Sequence, residues 1–147
     1  SNYLIVMDSD FNHTPQDLKK MIFEYEKSNV DMLCGSRFLK GGGSTSFFRF
    51  FCSLIFNIFI NSVTKGKLTD NLSGFFIIKR KYLKNSLNKI FYGYGEFYIR
   101  LLFYMQKRGI NIKEIPVQYA QRKYGTSKSR LIKMLILYTK ETIKLLK

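Results

Sequence analysis

Asp8 and Asp10 stand one residue apart, behind the short apolar run Tyr3-Leu4-Ile5-Val6-Met7 and just ahead of a helix signal. A run of this kind reads as a strand buried on both faces. Two carboxylates leaving the end of such a strand sit where open α/β sheets bind ligands. Hard divalent cations, Mg2+ or Mn2+, take carboxylate oxygens and share their coordination with substrate phosphates, so the pair suits a metal held against a diphosphate. Asp also caps turns for purely structural reasons, and the pair alone does not separate the two readings. Softer metal chemistry has little to work with. Cys34 and Cys52 lie far apart and His13 is the one histidine, which makes neither a zinc site nor a disulfide framework and suits a reducing compartment.

The elements that must position these groups follow from local pattern. Thr14 is placed to cap a helix with Pro15 at its first position and Asp17 at its third. Leu18, Met21, Ile22 and Tyr25 follow at helical spacing to about Ser28. Asp31–Cys34 reads as a second strand, and strand, helix, strand at this spacing predicts an α/β unit with a mostly parallel sheet. Leu39–Ser46, rich in Gly and Ser, reads as a mobile loop rather than a domain linker. Phe47–Val63 reads as a helix dense in Phe, Ile and Leu, with Arg49, Ser53, Asn57 and Asn61 recurring every fourth residue and so lying along one face. It is shorter than the roughly 20 mainly apolar residues of a membrane span. Two readings stay open: a buried helix whose polar stripe meets solvent or a cleft, and a helix lying in the plane of a membrane surface. Gly74–Lys79 is a strand candidate, Gly95–Arg108 a helix ending at Gly109, Ile110–Pro116 a final strand, Gln121–Ser129 a basic loop and Arg130–Lys147 a closing helix.

Composition bounds the function. The 147 residues suffice for one domain with a real core, and 46% hydrophobic and 16% aromatic content excludes a disordered tail. A formal net charge of +15 calls for an anionic partner: nucleic acid, a phospholipid surface or a phosphorylated substrate.

Six short motifs in order narrow that choice. They are Val6-Met7-Asp8-Ser9-Asp10, Gly35-Ser36-Arg37, Arg49 with Ser53 and Asn57, Asp70-Asn71-Leu72-Ser73-Gly74-Phe75, Glu114-Ile115-Pro116-Val117, and Arg122-Lys123-Tyr124-Gly125-Thr126-Ser127-Lys128. In content and order the chain resembles the family-2 glycosyltransferases that use polyprenyl phosphates, of the dolichol-phosphate mannosyltransferase type. The resemblance implies a GT-A, Rossmann-like α/β domain, and implies that residues 1–147 are the C-terminal part of one such domain. The opening strands and the acidic residues for the nucleotide base would then precede Ser1, and the chain alone would be incomplete for catalysis.

The same resemblance implies roles. Asp8 and Asp10 match the metal- and diphosphate-binding pair, and Asn12 stands where relatives often place a Gln on the metal side. Arg37 matches an arginine near the reacting phosphates. Asp70, with Ser73 and Gly74, matches a segment near the transferred sugar. Arg122 and Lys128, flanking Tyr124-Gly125-Thr126-Ser127, match the group that holds the lipid phosphate. A bidentate Arg and a mobile Lys are a workable pair for that anion. Attack by a phosphate needs no strong base, only positioning of two anions and neutralisation of the leaving diphosphate.

The implied reaction is inverting transfer of a hexose, mannose or glucose, from GDP-mannose or UDP-glucose to dolichyl or polyprenyl phosphate. It would take place at the cytoplasmic face of a membrane, where the protein is peripheral or anchored by other segments. A cell-surface glycan acceptor is the enzymatic alternative; a non-catalytic, basic nucleic-acid-binding domain is the other. Nucleic acid is disfavoured, because the Phe residues cluster with Ile and Leu rather than with Lys and Arg. Two positions depart from the family. Phe76 stands where relatives carry Arg, and Arg100 falls near an acidic position; Glu96, four residues earlier, reads as a substitute for that acid or, by preference, as surface charge. His13, at a helix start, reads as a local hydrogen-bonder.

Overall fold

A computed structural model describes residues 2–9, 12–84, 86–120 and 131–146. Its first strand, β1 (Tyr3–Val6), leads into α1 (Pro15–Lys27) through the expected cap. Thr14 Oγ1 accepts from the Asp17 backbone N–H at 3.1 Å, and Asp17 Oδ2 accepts from the Thr14 N–H at 3.2 Å. A reciprocal cap of this kind stabilises a helix start by about 1 kcal/mol. β2 (Met32–Ser36) follows, then the two-residue β3 (Gly43–Ser44), α2 (Phe47–Thr64) and β4 (Phe76–Lys79). A 3-10 turn at Arg80–Tyr82, α3 (Leu87–Ile90), α4 (Glu96–Lys107), β5 (Ile112–Pro116), β6 (Gln118–Tyr119) and α5 (Leu131–Lys144) complete the order.

The main sheet has the order β1-β4-β2-β5. Only β2 and β5 pair in parallel; β4 runs antiparallel to both β1 and β2. The expected β1-α1-β2 unit is therefore present, but β4 lies between its two strands. β4 is reached from a turn at residues 68–75 rather than by a helical crossover, so it enters the sheet in the opposite direction.

Side chains alternate cleanly across the sheet. Met32, Cys34, Phe76 and Ile78 face α4, where Tyr98, Leu101, Leu102 and Met105 bury them. Leu33, Phe75 and Ile77 face α1, against Met21 and Tyr25, with Leu18 and Ile22 partly buried beside them. The fold is thus mixed α/β, with helices on both faces of a short sheet.

Three expectations need correction. The main sheet is not mostly parallel, since one of its three strand pairings is parallel and two are antiparallel. β1 is not buried on both faces: Leu4 is 39% exposed, and β4 is its one partner strand among the described residues. Leu39–Ser46, expected as a loop throughout, contains the short strand β3, which pairs in parallel with β6, and the Gly43 N–H donates to the Val117 carbonyl at 3.1 Å. A third layer forms where α2, α4 and α5 meet over Ile60, Ile99 and Tyr138.

Candidate active site

The carboxyl end of β1 opens into a cleft of about 770 Å3. Asp8 and Asn12 line it from the β1–α1 connection, Arg37 from the end of β2, Arg49 and Ser53 from α2, and Ser73 and Gly74 from the approach to β4. Tyr119 and Tyr138 close its far sides.

Arg37 is 8% exposed and is held by Asp70, which is fully buried. Nε meets Oδ2 and Nη2 meets Oδ1, both at 2.8 Å, and the Arg37 backbone N–H donates to Oδ2 at 3.1 Å. The guanidinium also lies 4.7 Å from the centre of the Tyr119 ring. Burial works against its charge, but attraction to and hydrogen bonding with Asp70 more than offset that and hold its pKa above the ordinary arginine value. Tyr119 in turn donates its hydroxyl proton to the Ser73 carbonyl, and burial raises its own pKa. Gly74 has φ +70°, a conformation that other residues resist, so Ser73-Gly74 turns the chain from the cleft into β4.

Of the residues singled out in the sequence, Asp8, Asn12, Arg37, Ser73 and Gly74 come together around this cleft. Asp70 does not line it; it sits behind Arg37 as the buried partner of that cation. Asp10, Arg122, Ser127 and Lys128 lie outside the described residues. Asp8 and Asn12 offer hard oxygen donors in one cleft, the chemistry that Mg2+ or Mn2+ prefers. No group of three His, Cys, Asp or Glu side chains converges among the described residues.

Other residues had been missed or misread. Glu114 belongs to a motif noted in the sequence, yet its place in the site was invisible there: its carboxylate accepts the N–H groups of Thr69 at 2.8 Å and Asp70 at 3.0 Å. Burial raises its pKa, and these hydrogen bonds partly oppose the rise. The single carboxylate of β5 was the available signal. Glu96 is not surface charge. It is buried, and it accepts the Tyr94 N–H at 3.1 Å. Arg100 is 1% exposed and pairs with Glu141 of α5 at 2.6 Å. Phe76 stacks on Tyr98 at 5.4 Å as part of the core, and His13 is buried between the rings of Phe75 and Tyr119.

The sequence profile of Glycosyl transferase family 2 matches residues 1–87. The dolichol-phosphate mannosyltransferase of Pyrococcus furiosus is 29% identical over 130 residues, a match that covers 84% of this chain and 35% of that protein. The chain therefore spans about a third of the length of the curated relative it matches. Since the profile runs from β1 through the turn that carries Asp70 and on past β4, it takes in most of the elements that build the cleft, and on that match the chain belongs to glycosyl transferase family 2.

Proposed function

We propose that this chain supplies the acceptor side and the leaving-group side of an inverting hexose transfer. The donor is a nucleoside diphosphate sugar, GDP-mannose or UDP-glucose, and the acceptor is dolichyl or another polyprenyl phosphate. The observation that carries this reading is one cleft in which a strand-end carboxylate and two arginines meet beside a helix whose outer face is apolar. Asp8 and Asn12, with Asp10, would hold Mg2+ or Mn2+, which supplies charge neutralisation for the leaving diphosphate. Arg37, kept charged by Asp70, orients an anionic oxygen in the cleft, and Arg49 adds a second cation at the rim.

The segment with Arg122, Ser127 and Lys128 is flanked by Ala120 and Met134, and both of these line the cleft. That supports a role for its two cations on the acceptor phosphate. The outer face of α2 supports a protein seated on the cytoplasmic surface of a membrane, where the acceptor's phosphate would be presented. A net charge of +15 favours the same surface. Similarity to a dolichol-phosphate mannosyltransferase supports the acceptor class.

The test is transfer of labelled hexose to polyprenyl phosphate by the full-length protein, compared with its Asp8→Asn, Arg122→Ala and Lys128→Ala variants. Asp8→Asn should abolish metal-dependent transfer. The two loop variants should each lose roughly ten- to a hundredfold in rate while still binding donor, the loss expected for one charge-assisted hydrogen bond. Normal transfer by both loop variants, or loss of donor binding alone, would turn the assignment toward a glycan acceptor.

A further inference from the structure

The turn that carries Asp70 has an uncommon construction. Four successive backbone N–H groups are each held by a side-chain oxygen rather than by a carbonyl. Thr69 donates to Glu114 Oε2 at 2.8 Å, Asp70 to Glu114 Oε1 at 3.0 Å, Asn71 to Asn57 Oδ1 at 2.6 Å and Leu72 to Asp70 Oδ1 at 3.1 Å. The carbonyl that precedes them, that of Leu68, accepts from Asn61 Nδ2 at 2.7 Å. Side chains reach this turn from β5 on one side and from α2 on the other. None of these acceptors is a neighbour in sequence except Asp70 itself.

Such a turn does not hold its own shape by local backbone hydrogen bonding. It is shaped by Glu114 and Asn57, and its shape sets where the Asp70 carboxylate points. Asp70 in turn fixes both the backbone and the guanidinium of Arg37. The chain of contact to the cleft is short and direct: Glu114 and Asn57, then the turn at residues 69–72, then Asp70, then Arg37. Glu114 is paired across the sheet with Cys34 in β2, three residues before Arg37, so the same strand pair sets both ends of the chain. Asn57 is 2% exposed, and its Nδ2 donates back to the Ser53 carbonyl at 2.9 Å, which orients its oxygen toward the turn.

We propose that Glu114 and Asn57 are positioning residues for Arg37, and through it for the anion that Arg37 meets in the cleft. The inference rests on the reading of Arg37 as an anion-binding residue given above.

The experiment is a double-mutant cycle in the full-length protein, read as kcat and KM for hexose transfer to polyprenyl phosphate. Asn57→Leu removes the acceptor at similar size, and the nearly isosteric Glu114→Gln replaces one acceptor oxygen by a donor that faces an N–H. Each is made alone and in an Arg37→Lys background, with thermal unfolding measured in parallel. Alone, each should lower kcat about tenfold or more, whereas in the Arg37→Lys background the further loss should be under about twofold, because the geometry they serve is already gone. Equal losses in both backgrounds would mean general destabilisation and would overturn the proposal. So would normal kcat in Glu114→Gln, which serves if Asn57→Leu does not fold. Normal transfer by Arg37→Lys alone would sink the reading of Arg37 itself, and this inference with it.

Discussion

Arg37 and Asp70 illustrate how a cation is kept available in a mostly buried place. Asp70 takes the Nε and one Nη donor, and a planar guanidinium retains further N–H groups beyond that fork. A lysine has no fork and cannot reproduce the pairing. The buried thiol of Cys34 is tuned in the opposite sense. Burial pushes the Cys34 thiol up to about 12, with the nearby Tyr98 hydroxyl opposing the rise and the carboxylates of Glu114 and Asp70 adding to it, so no thiolate forms at neutral pH. Cys52 is half-buried and lines the cleft. The folded protein at pH 8 should therefore take up one equivalent of iodoacetamide, at Cys52, and a second only after denaturation. Intact-mass measurement and peptide mapping read this directly, and early labelling of Cys34 would contradict the burial. How far such roles were legible depended on where each partner sits in the chain. The Thr14–Asp17 cap was readable because its partners are three residues apart. Glu96 was misread and Glu114 left without a role, because nothing local announces the N–H groups that their carboxylates meet after folding.

α2 turns part of its polar stripe inward beside the buried Ile60. Asn57 and Asn61 point inward to the turn at residues 68–71, while Phe48, Phe51, Ile55 and Ile58 are 50–67% exposed and Phe47 is 82% exposed. Its 18 residues are apolar enough by length and composition to cross a membrane. The face that carries Asn57, Ile60 and Asn61, however, is occupied by the body of the protein, which leaves the opposite, apolar face exposed. α5 packs beside it and exposes Ile132 and Ile136 as well. Each large apolar side chain contributes about 1.5–3 kcal/mol when fully removed from water, so three of them can decide binding. Replacing Phe48, Phe51 and Ile55 together by Ser should abolish flotation with anionic vesicles and leave the unfolding temperature unchanged or raised. Undiminished flotation of the variant, or no flotation of the parent protein, would count against this face as a membrane-binding surface. The four-residue spacing of the polar stripe could be read from the sequence. Its direction could not, because the groups that attract it inward exist only once the 68–71 turn has formed beside β5.

Taken together, the sheet with α1 and α4 forms one body, and α5 is fastened onto it as a wall of the cleft. Met134, Leu135 and Tyr138 of α5 line that wall, and the Tyr138 hydroxyl abuts Gly95 so closely that a side chain there would collide with it. One tie is the buried pair of Arg100 on α4 and Glu141 on α5, with side chains 2% and 9% exposed. Arg100 also donates from Nε to the Ile90 carbonyl at 3.0 Å and from Nη2 to the Tyr92 carbonyl, and its guanidinium lies 3.5 Å from the centre of the Tyr92 ring. In the sequence Arg100 registered only as a departure near an acidic position, since its counter-charge lies 41 residues away on a helix whose docking no local pattern reveals. A buried pair broken on one side leaves an uncompensated charge, which typically costs about 3–5 kcal/mol, whereas replacing both members by apolar residues is often neutral. Arg100→Met should therefore lower unfolding stability by about that amount and expose residues 131–146 to protease. Arg100→Met combined with Glu141→Leu should recover most of the loss in urea denaturation and restore protection. Should Arg100→Met alone match the parent protein in both measurements, α5 would be held by its apolar contacts with α2 and α4, and the ion pair would contribute no net fastening.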